Sequence, residues 1–82
     1  MQVLLAKGAQ KQYKKLPKPE QAKIRKKLEV LSQDPFAGKK LEGILKGRRS
    51  LRAWPYRIIY SINDKGKRIE VSEILHRQGA YK

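Results

Sequence analysis

The stretch RRSLRAWPYRIIYSINDKGKRIEVSEILH, residues 48–76, decides the fold of this chain. Three of its segments, 48–53, 56–62 and 68–75, are rich in the β-branched and aromatic residues that favour strands. Pro55 lies in the turn between the first two segments, and the run Asn-Asp-Lys-Gly at 63–66 forms the turn between the last two. We therefore predict three strands joined by two antiparallel hairpins.

The turns also predict which side chains share a face of the sheet, because opposed residues in antiparallel strands do so. A first turn centred on 53–56 pairs Arg52 with Arg57, and a second centred on 63–66 pairs Tyr60 with Ile69. One face is then apolar and carries Leu51, Ile58, Tyr60, Ile62, Ile69, Val71 and Leu75. The other is polar and cationic and carries Ser50, Arg52, Arg57, Ser61, Arg68, Ser72 and His76, with Ile59 and Ile74 among them. A slip of one residue would invert the two faces.

The first half of the chain predicts a strand and two helices. Residues 2–6 form a short apolar strand, and two stripes with helical spacing follow it, separated by Pro17. The stripes consist of Ala9, Tyr13 and Leu16, and of Ile24, Leu28 and Leu31. Residues 36–47 are predicted to be a loop. The whole predicts an α+β fold, a mostly antiparallel four-stranded sheet with an N-terminal helical hairpin packed on one face, in a single domain spanning 1–82.

The composition favours a polyanionic partner. The chain has 21 Lys and Arg against 7 Asp and Glu, which gives a net charge of +14 and a surface that attracts nucleic acid, anionic membranes or acidic proteins. It has no Cys and one His, so neither a disulfide framework nor a dedicated metal site is expected, and no cofactor is predicted. The apolar run at the N-terminus is too short for a signal peptide, and no stretch could span a membrane. We expect a cytoplasmic protein.

Several motifs, in this order, resemble the RelE/ParE superfamily of toxins from toxin–antitoxin systems. They are Lys-Lys-Leu-Pro-Lys at the helical bend, Asp-Pro-Phe-Ala-Gly-Lys-Lys-Leu at 34–41, Tyr-Arg-Ile-Ile-Tyr at 56–60, and His-Arg at 76–77 with Tyr81 four residues after the Arg. The resemblance covers nearly the whole chain. It implies a RelE-like fold and a metal-independent endoribonuclease that cleaves messenger RNA, in many members on the ribosome. It also implies a cognate antitoxin, with operator DNA bound only through the toxin–antitoxin complex.

The resemblance also implies the site residues. The matching positions are Arg52, Arg57, His76, Arg77 and Tyr81, which carry the family's catalytic basic and aromatic groups. Some RelE-type members place lysines at alternate positions of the strand before the turn, where this chain has Arg48 and Ser50. Another branch uses a loop carboxylate, for which Glu42 is the nearby candidate. The identity of the general base is therefore left open.

Arginine and histidine suit the cleavage of RNA by its own 2′-hydroxyl. Opposed arginines at 52 and 57 could hold a phosphate through paired N–H groups, and the imidazole of His76 can exchange a proton near neutral pH. Tyr81 could stack on a base. Lys46, Arg48 and Arg49 are further candidates for RNA contacts. Trp54 is interpreted as a contact at the hairpin tip, with stacking on RNA as the alternative.

Two other functions remain open from the sequence. The ParE branch of the superfamily poisons DNA gyrase by binding, and it generally lacks the catalytic basic constellation. The presence of Arg57, His76, Arg77 and Tyr81 therefore favours the nuclease. The other alternative is a small RNA-binding protein without chemistry, although the chain has no KH-type Gly-x-x-Gly loop and no RRM signature.

Overall fold

The fold combines a helical hairpin with one mixed sheet. A computed structural model describes residues 1–41, 43 and 47–76 of the chain. In chain order they form β1 (Gln2–Leu5), α1 (Lys7–Lys15), α2 (Lys18–Gln33), β2 (Lys39–Lys40), β3 (Arg49–Ala53), β4 (Tyr56–Asn63) and β5 (Arg68–His76). The predicted α+β class is confirmed. Within these ranges, no helix is long and apolar enough to cross a membrane.

The sheet has the strand order β1-β5-β4-β3-β2 over the described residues. The hairpins make β3, β4 and β5 antiparallel neighbours, while β1 lies parallel to β5 at one edge. The sequence predicts four strands, and the structure adds β2 inside the predicted loop, where Lys39 pairs with Ser50 and Lys40 with Arg49. Two consecutive lysines give no alternating pattern, so this strand has no signature in the sequence.

The helical hairpin bends at Pro17, as predicted. Leu16 has extended backbone angles because helical geometry is disfavoured before proline. The side-chain amide of Gln21 then donates to the carbonyls of Tyr13 and Leu16, each at 3.1 Å, and closes the bend. This arrangement turns the apolar stripes of both helices towards the sheet.

The core lies between the helical hairpin and one face of the sheet, which we call the helix face. Its buried members are Ala9, Ile24, Leu31, Ala53, Ile58, Tyr60, Ile69, Val71 and Ile74. The opposite face, which carries Arg52 and Arg57, we call the outer face. At about 25 cal/mol per Å² of buried apolar surface, this core supplies the main stabilisation of the fold.

The second hairpin is displaced by two residues from its predicted register. Tyr60 pairs with Val71 instead of Ile69, because the turn spans 64–67 and is closed by the pair of Asn63 with Arg68. The Asn63 side-chain oxygen accepts a hydrogen bond from the Gly66 N–H at 2.9 Å. A displacement of two residues leaves every side chain on its predicted face, since strand side chains alternate with a period of two.

A β-bulge opposite Ile59 does change the faces of the end of β5. Ile59 pairs with Glu73 while Tyr60 pairs with Val71, so β5 contains one extra residue, Ser72. The Ser72 hydroxyl donates to the Ile59 carbonyl at 3.2 Å. Beyond an extra residue, the alternation of side chains is reversed.

The predicted faces of three residues are therefore wrong. Ile74, predicted on the cationic face, is only 4% exposed and belongs to the core. Leu75, predicted in the core, pairs with Arg57 on the outer face, and His76 pairs with Tyr56 on the helix face. Simple alternation could not reveal this reversal, because Ser72 carries no mark of a bulge.

Candidate functional site: a basic cleft at the first hairpin

The first hairpin brings two arginines directly opposite each other. Arg52 on β3 pairs with Arg57 on β4, and Leu51 pairs with Ile58 on the helix face. Both pairs confirm the predicted register. Like charges that face each other across antiparallel strands destabilise a sheet. Each guanidinium can donate paired N–H groups to phosphate oxygens.

These arginines border a cleft of about 680 Å³, which we call the basic cleft. It is lined by Lys27, Ala37, Lys39, Lys40, Leu41, Ser50, Leu51, Arg52, Trp54 and Arg57. Five of these side chains are cationic, and none of the described lining residues is acidic. Such a concentration of positive charge in a concave surface attracts polyanions.

The position of the cleft follows from the short length of β2. Among the described residues, β2 pairs only with Arg49 and Ser50, so it does not extend along β3 from Leu51 to Ala53. Lys27 approaches this part of β3 from α2, and the 37–41 segment approaches it from the chain before β3. The cleft therefore draws residues from three regions that are separate in sequence.

A buried tyrosine holds one wall of the basic cleft. The Tyr60 hydroxyl donates to the Pro35 carbonyl at 2.9 Å and accepts from the Gly38 N–H at 2.9 Å. A Cβ at Gly38 would come within 2.6 Å of the Tyr60 oxygen and 2.8 Å of the Ser50 carbonyl oxygen. Glycine is thus required here for the close approach that leads into Lys39 and Lys40.

Tyr60 is a structural residue, as its ionisation also indicates. Burial raises the pKa of its hydroxyl above the ordinary value of 10.0, and this effect outweighs the hydrogen bond from Gly38 and the positive charge of Arg49. The hydroxyl therefore stays protonated and keeps its bond to Pro35. The second tyrosine of the 56–60 motif thus has a hydrogen-bonding role in addition to its predicted place in the core.

The predicted RNA contacts at 46, 48 and 49 have different positions. Arg49 donates to the Gly38 carbonyl at 2.9 Å and lies over the Phe36 ring, 4.8 Å from its centroid. The Arg49 guanidinium and the Tyr60 hydroxyl thus both bind Gly38 and hold the same wall of the cleft. Arg48 is exposed just before β3 and is not part of the cleft lining, while Lys46 lies outside the described residues.

His76 does not join the two arginines. Its ring contacts Tyr56 edge to face, with 5.4 Å between centroids and 84° between planes. Because the bulge places it on the helix face, its side chain is separated from Arg52 and Arg57 by the sheet. Arg77, Tyr81 and the candidate base Glu42 lie outside the described residues.

Sequence reasoning missed three lysines of the basic cleft. Lys27 lies off the apolar stripe of Ile24, Leu28 and Leu31, so the sequence gives it no role, yet it is half-buried at the cleft. Lys39 and Lys40 were assigned to a loop, and only the β2–β3 pairing brings them to the site. The motif at 34–41 was the available signal, because it contains both lysines directly after Gly38.

The chain's carboxylates do not assemble a metal site in the part that the structure describes. No group of three His, Asp or Glu side chains there could hold a metal ion. The donor groups of the basic cleft are instead ammonium and guanidinium groups, which bind anions. The arrangement suits the recognition of phosphate.

The chain is similar to a known protein family and to several solved structures. Residues 3–81 match the family described as the ParE toxin of the type II toxin–antitoxin system, parDE. A chain of the toxin–antitoxin complex RelBE2 from Mycobacterium tuberculosis is 29% identical, with a TM-score of 0.85 over 93% of this chain and 96% of that one. Among curated proteins, no sequence matches significantly.

Two further solved structures share the fold. A chain of the archaeal RelE–RelB complex from Pyrococcus horikoshii is 30% identical, with a TM-score of 0.77 over 93% of both chains. A chain of the intact RelBE toxin–antitoxin complex from E. coli is 23% identical, with a TM-score of 0.78 over 92% of this chain and 94% of that one. These likenesses extend over the helices and the sheet together.

Proposed function

Since this chain belongs to the ParE toxin family of type II toxin–antitoxin systems, we propose for it the activity that the basic cleft supports best. It is an endoribonuclease activity that cleaves messenger RNA in the cytoplasm and inhibits translation. The observation that carries the proposal is the opposed pair of Arg52 and Arg57 at this cleft. Two like charges held together at an anion-attracting surface are suited to grip a phosphodiester.

In the proposed reaction, the substrate supplies its own nucleophile. The 2′-oxygen forms a bond to phosphorus as the bond from phosphorus to the 5′-oxygen breaks, which leaves a 2′,3′-cyclic phosphate and a 5′-hydroxyl. A base removes the 2′-hydroxyl proton, and the leaving oxygen gains a proton, for which a cleft lysine can be the donor. Arg52 and Arg57 stabilise the charge that builds up on the phosphoryl oxygens.

A substrate with one altered sugar tests this proposal. A 2′-deoxy nucleotide at the scissile position should abolish cleavage and leave binding nearly unchanged, because it removes only the attacking group. Cleavage of free RNA should also persist in EDTA, and any ribosome-dependent assay needs magnesium for intact ribosomes. Equal cleavage of the deoxy substrate, or loss of cleavage of free RNA in EDTA, would contradict this mechanism.

A second function is favoured by the family match itself. A non-catalytic toxin of the ParE branch would bind DNA gyrase, and the separation of His76 from the arginines agrees with a site that binds without cutting. Expression in cells distinguishes the two functions. The nuclease blocks translation and leaves cut messages, whereas the gyrase poison induces the SOS response and leaves messages intact.

The proposed partners are messenger RNA, bound on the ribosome, and a cognate antitoxin. Antitoxin partners are present in the similar complexes from M. tuberculosis and P. horikoshii. In this chain the net charge of +14 favours an antitoxin with acidic segments, and operator DNA would be reached only through the joint complex. The product of the neighbouring gene should co-purify with this chain and raise its melting temperature by mass action.

A further inference from the structure

Trp54 occupies a special position at the tip of the first hairpin. The strands are closed by the pair of Ala53 with Tyr56, so Trp54 and Pro55 form the whole turn. The indole is 55% exposed, and it belongs to the lining of the basic cleft together with Arg52 and Arg57. An aromatic surface and the two opposed cations therefore meet at one opening.

Exposure alone would not assign a role to this residue, because single exposed apolar side chains are common on proteins. The combination with the cationic lining is more specific. Single-stranded nucleic acids are bound by basic grooves that follow the phosphates and by aromatic side chains on which bases stack. The cleft presents both kinds of group within one hairpin.

The spacing of these groups matches neighbouring parts of one nucleotide chain. Trp54 is two residues beyond Arg52, so the Cα atoms of the two residues are at most about 7 Å apart. A phosphate held between Arg52 and Arg57 would thus have its own base, or the adjacent one, within reach of the indole. We propose that Trp54 is a stacking site for one unpaired base of single-stranded RNA bound in the basic cleft.

This inference rests on the proposed function and narrows its substrate to unpaired RNA. In an A-form duplex the base faces are stacked inside the helix, and the deep, narrow major groove is closed to side chains. An indole at a hairpin tip can cover a base face only where that base is splayed out of the stack. The cleft therefore selects a single-stranded segment.

Tryptophan fluorescence tests the proposal directly, because Trp54 is the only tryptophan of the chain. The wild-type protein is titrated with a short, uncleavable 2′-O-methyl oligoribonucleotide and with a duplex of the same sequence. We expect saturable quenching by the single strand and much weaker quenching by the duplex. Binding of the single strand without any change in the fluorescence would overturn the proposal.

Two variants and one altered ligand separate stacking from charge. Trp54→Leu should weaken binding of the single strand by about 5- to 150-fold, the range that stacking of one base provides, whereas Trp54→Phe should retain most of the affinity. An abasic oligonucleotide keeps the phosphates and lacks the base faces, so Trp54→Leu should leave its affinity unchanged. Equal losses for both ligands would overturn the proposal.

These outcomes are independent of cleavage. A chain that stacks bases at Trp54 and cuts no RNA would refute the proposed nuclease and retain the stacking site. A chain that cuts RNA with unaltered affinity in Trp54→Leu would retain the nuclease and refute the stacking site. Melting curves establish that the variants are folded, and the wild-type titration decides the question if Trp54→Leu does not fold.

Discussion

Neighbouring residues on β4 belong to two different environments. Ile58 lies on the helix face and is fully buried, whereas Arg57 lies on the outer face, opposite Arg52 and at the basic cleft. The alternation of side chains along a strand is sufficient to place these two neighbours on opposite faces of the sheet. One hairpin can thus supply alternate residues to the core and to the candidate site. Substitutions on the two faces should therefore affect different properties.

The largest expected effect on folding lies on the helix face. Ile58→Ala should lower the free energy of unfolding by about 2–5 kcal/mol, because it leaves a cavity in the core of a small protein. Chemical denaturation measures the loss as a lower midpoint with an unchanged slope. A loss below about 1 kcal/mol would show that Ile58 is not a core residue of the folded protein.

Gly38→Ala should have the next largest effect. Its Cβ would be 2.6 Å from the Tyr60 hydroxyl, and the resulting displacement of the cleft wall should cost about 1–3 kcal/mol. Gly8 in α1 provides the matched control, because nothing lies within 4 Å of a Cβ there. Gly8→Ala should stabilise the helix by about 0.5–1 kcal/mol. Equal effects of the two substitutions would contradict the close packing at Gly38.

Tyr60→Phe should cost about 1–2 kcal/mol, because the buried Gly38 N–H loses its acceptor. The substitution should also change the stability in alkali. Since the pKa of Tyr60 is raised in the folded state, its contribution is present below pH 10 and is lost as pH rises further. Unfolding midpoints between roughly pH 9 and 11, around the reference pKa of tyrosine, should fall more steeply for the wild type than for Tyr60→Phe. Parallel pH profiles would contradict this assignment.

The smallest effect is expected at His76. Because its side chain lies on the helix face against Tyr56, His76→Ala should reduce RNA cleavage by less than about tenfold, well below the roughly 10²- to 10⁴-fold contribution of a general acid or base. The measurement is the cleavage rate as a function of pH. A cleavage rate of His76→Ala that no longer depends on pH near neutrality would show that His76 takes part in the reaction. Residues from both faces of the sheet would then contribute to cleavage.

The contrast between the faces also explains what could be predicted from the sequence. The sequence predicts the first hairpin with its register, because Pro55 marks a tight turn between two strands with clear alternating patterns. This turn places Arg52 opposite Arg57. The helical hairpin was predicted for a similar reason, since Pro17 separates two apolar stripes. Both features depend on local signals.

The features that were not predicted depend on distant contacts. The extra residue at Ser72 reversed the faces of Ile74 and His76, and nothing local distinguishes it from a regular strand position. The cleft wall depends on the Tyr60 hydroxyl reaching Gly38, which is 22 residues earlier in the chain. The lysines at 39 and 40 reach the site only through that contact and the short strand that follows it.

The most direct test of the central claim is the cleavage rate of Arg57→Ala under single-turnover conditions. Arg57 should act on charge that develops in the transition state, so the rate should fall by about 10²- to 10³-fold. The affinity for an uncleavable RNA should change much less. Arg52→Ala should behave similarly, and both variants should melt near the wild-type temperature. A rate for Arg57→Ala equal to that of the wild type would contradict the claim that the opposed arginines form the site of RNA cleavage.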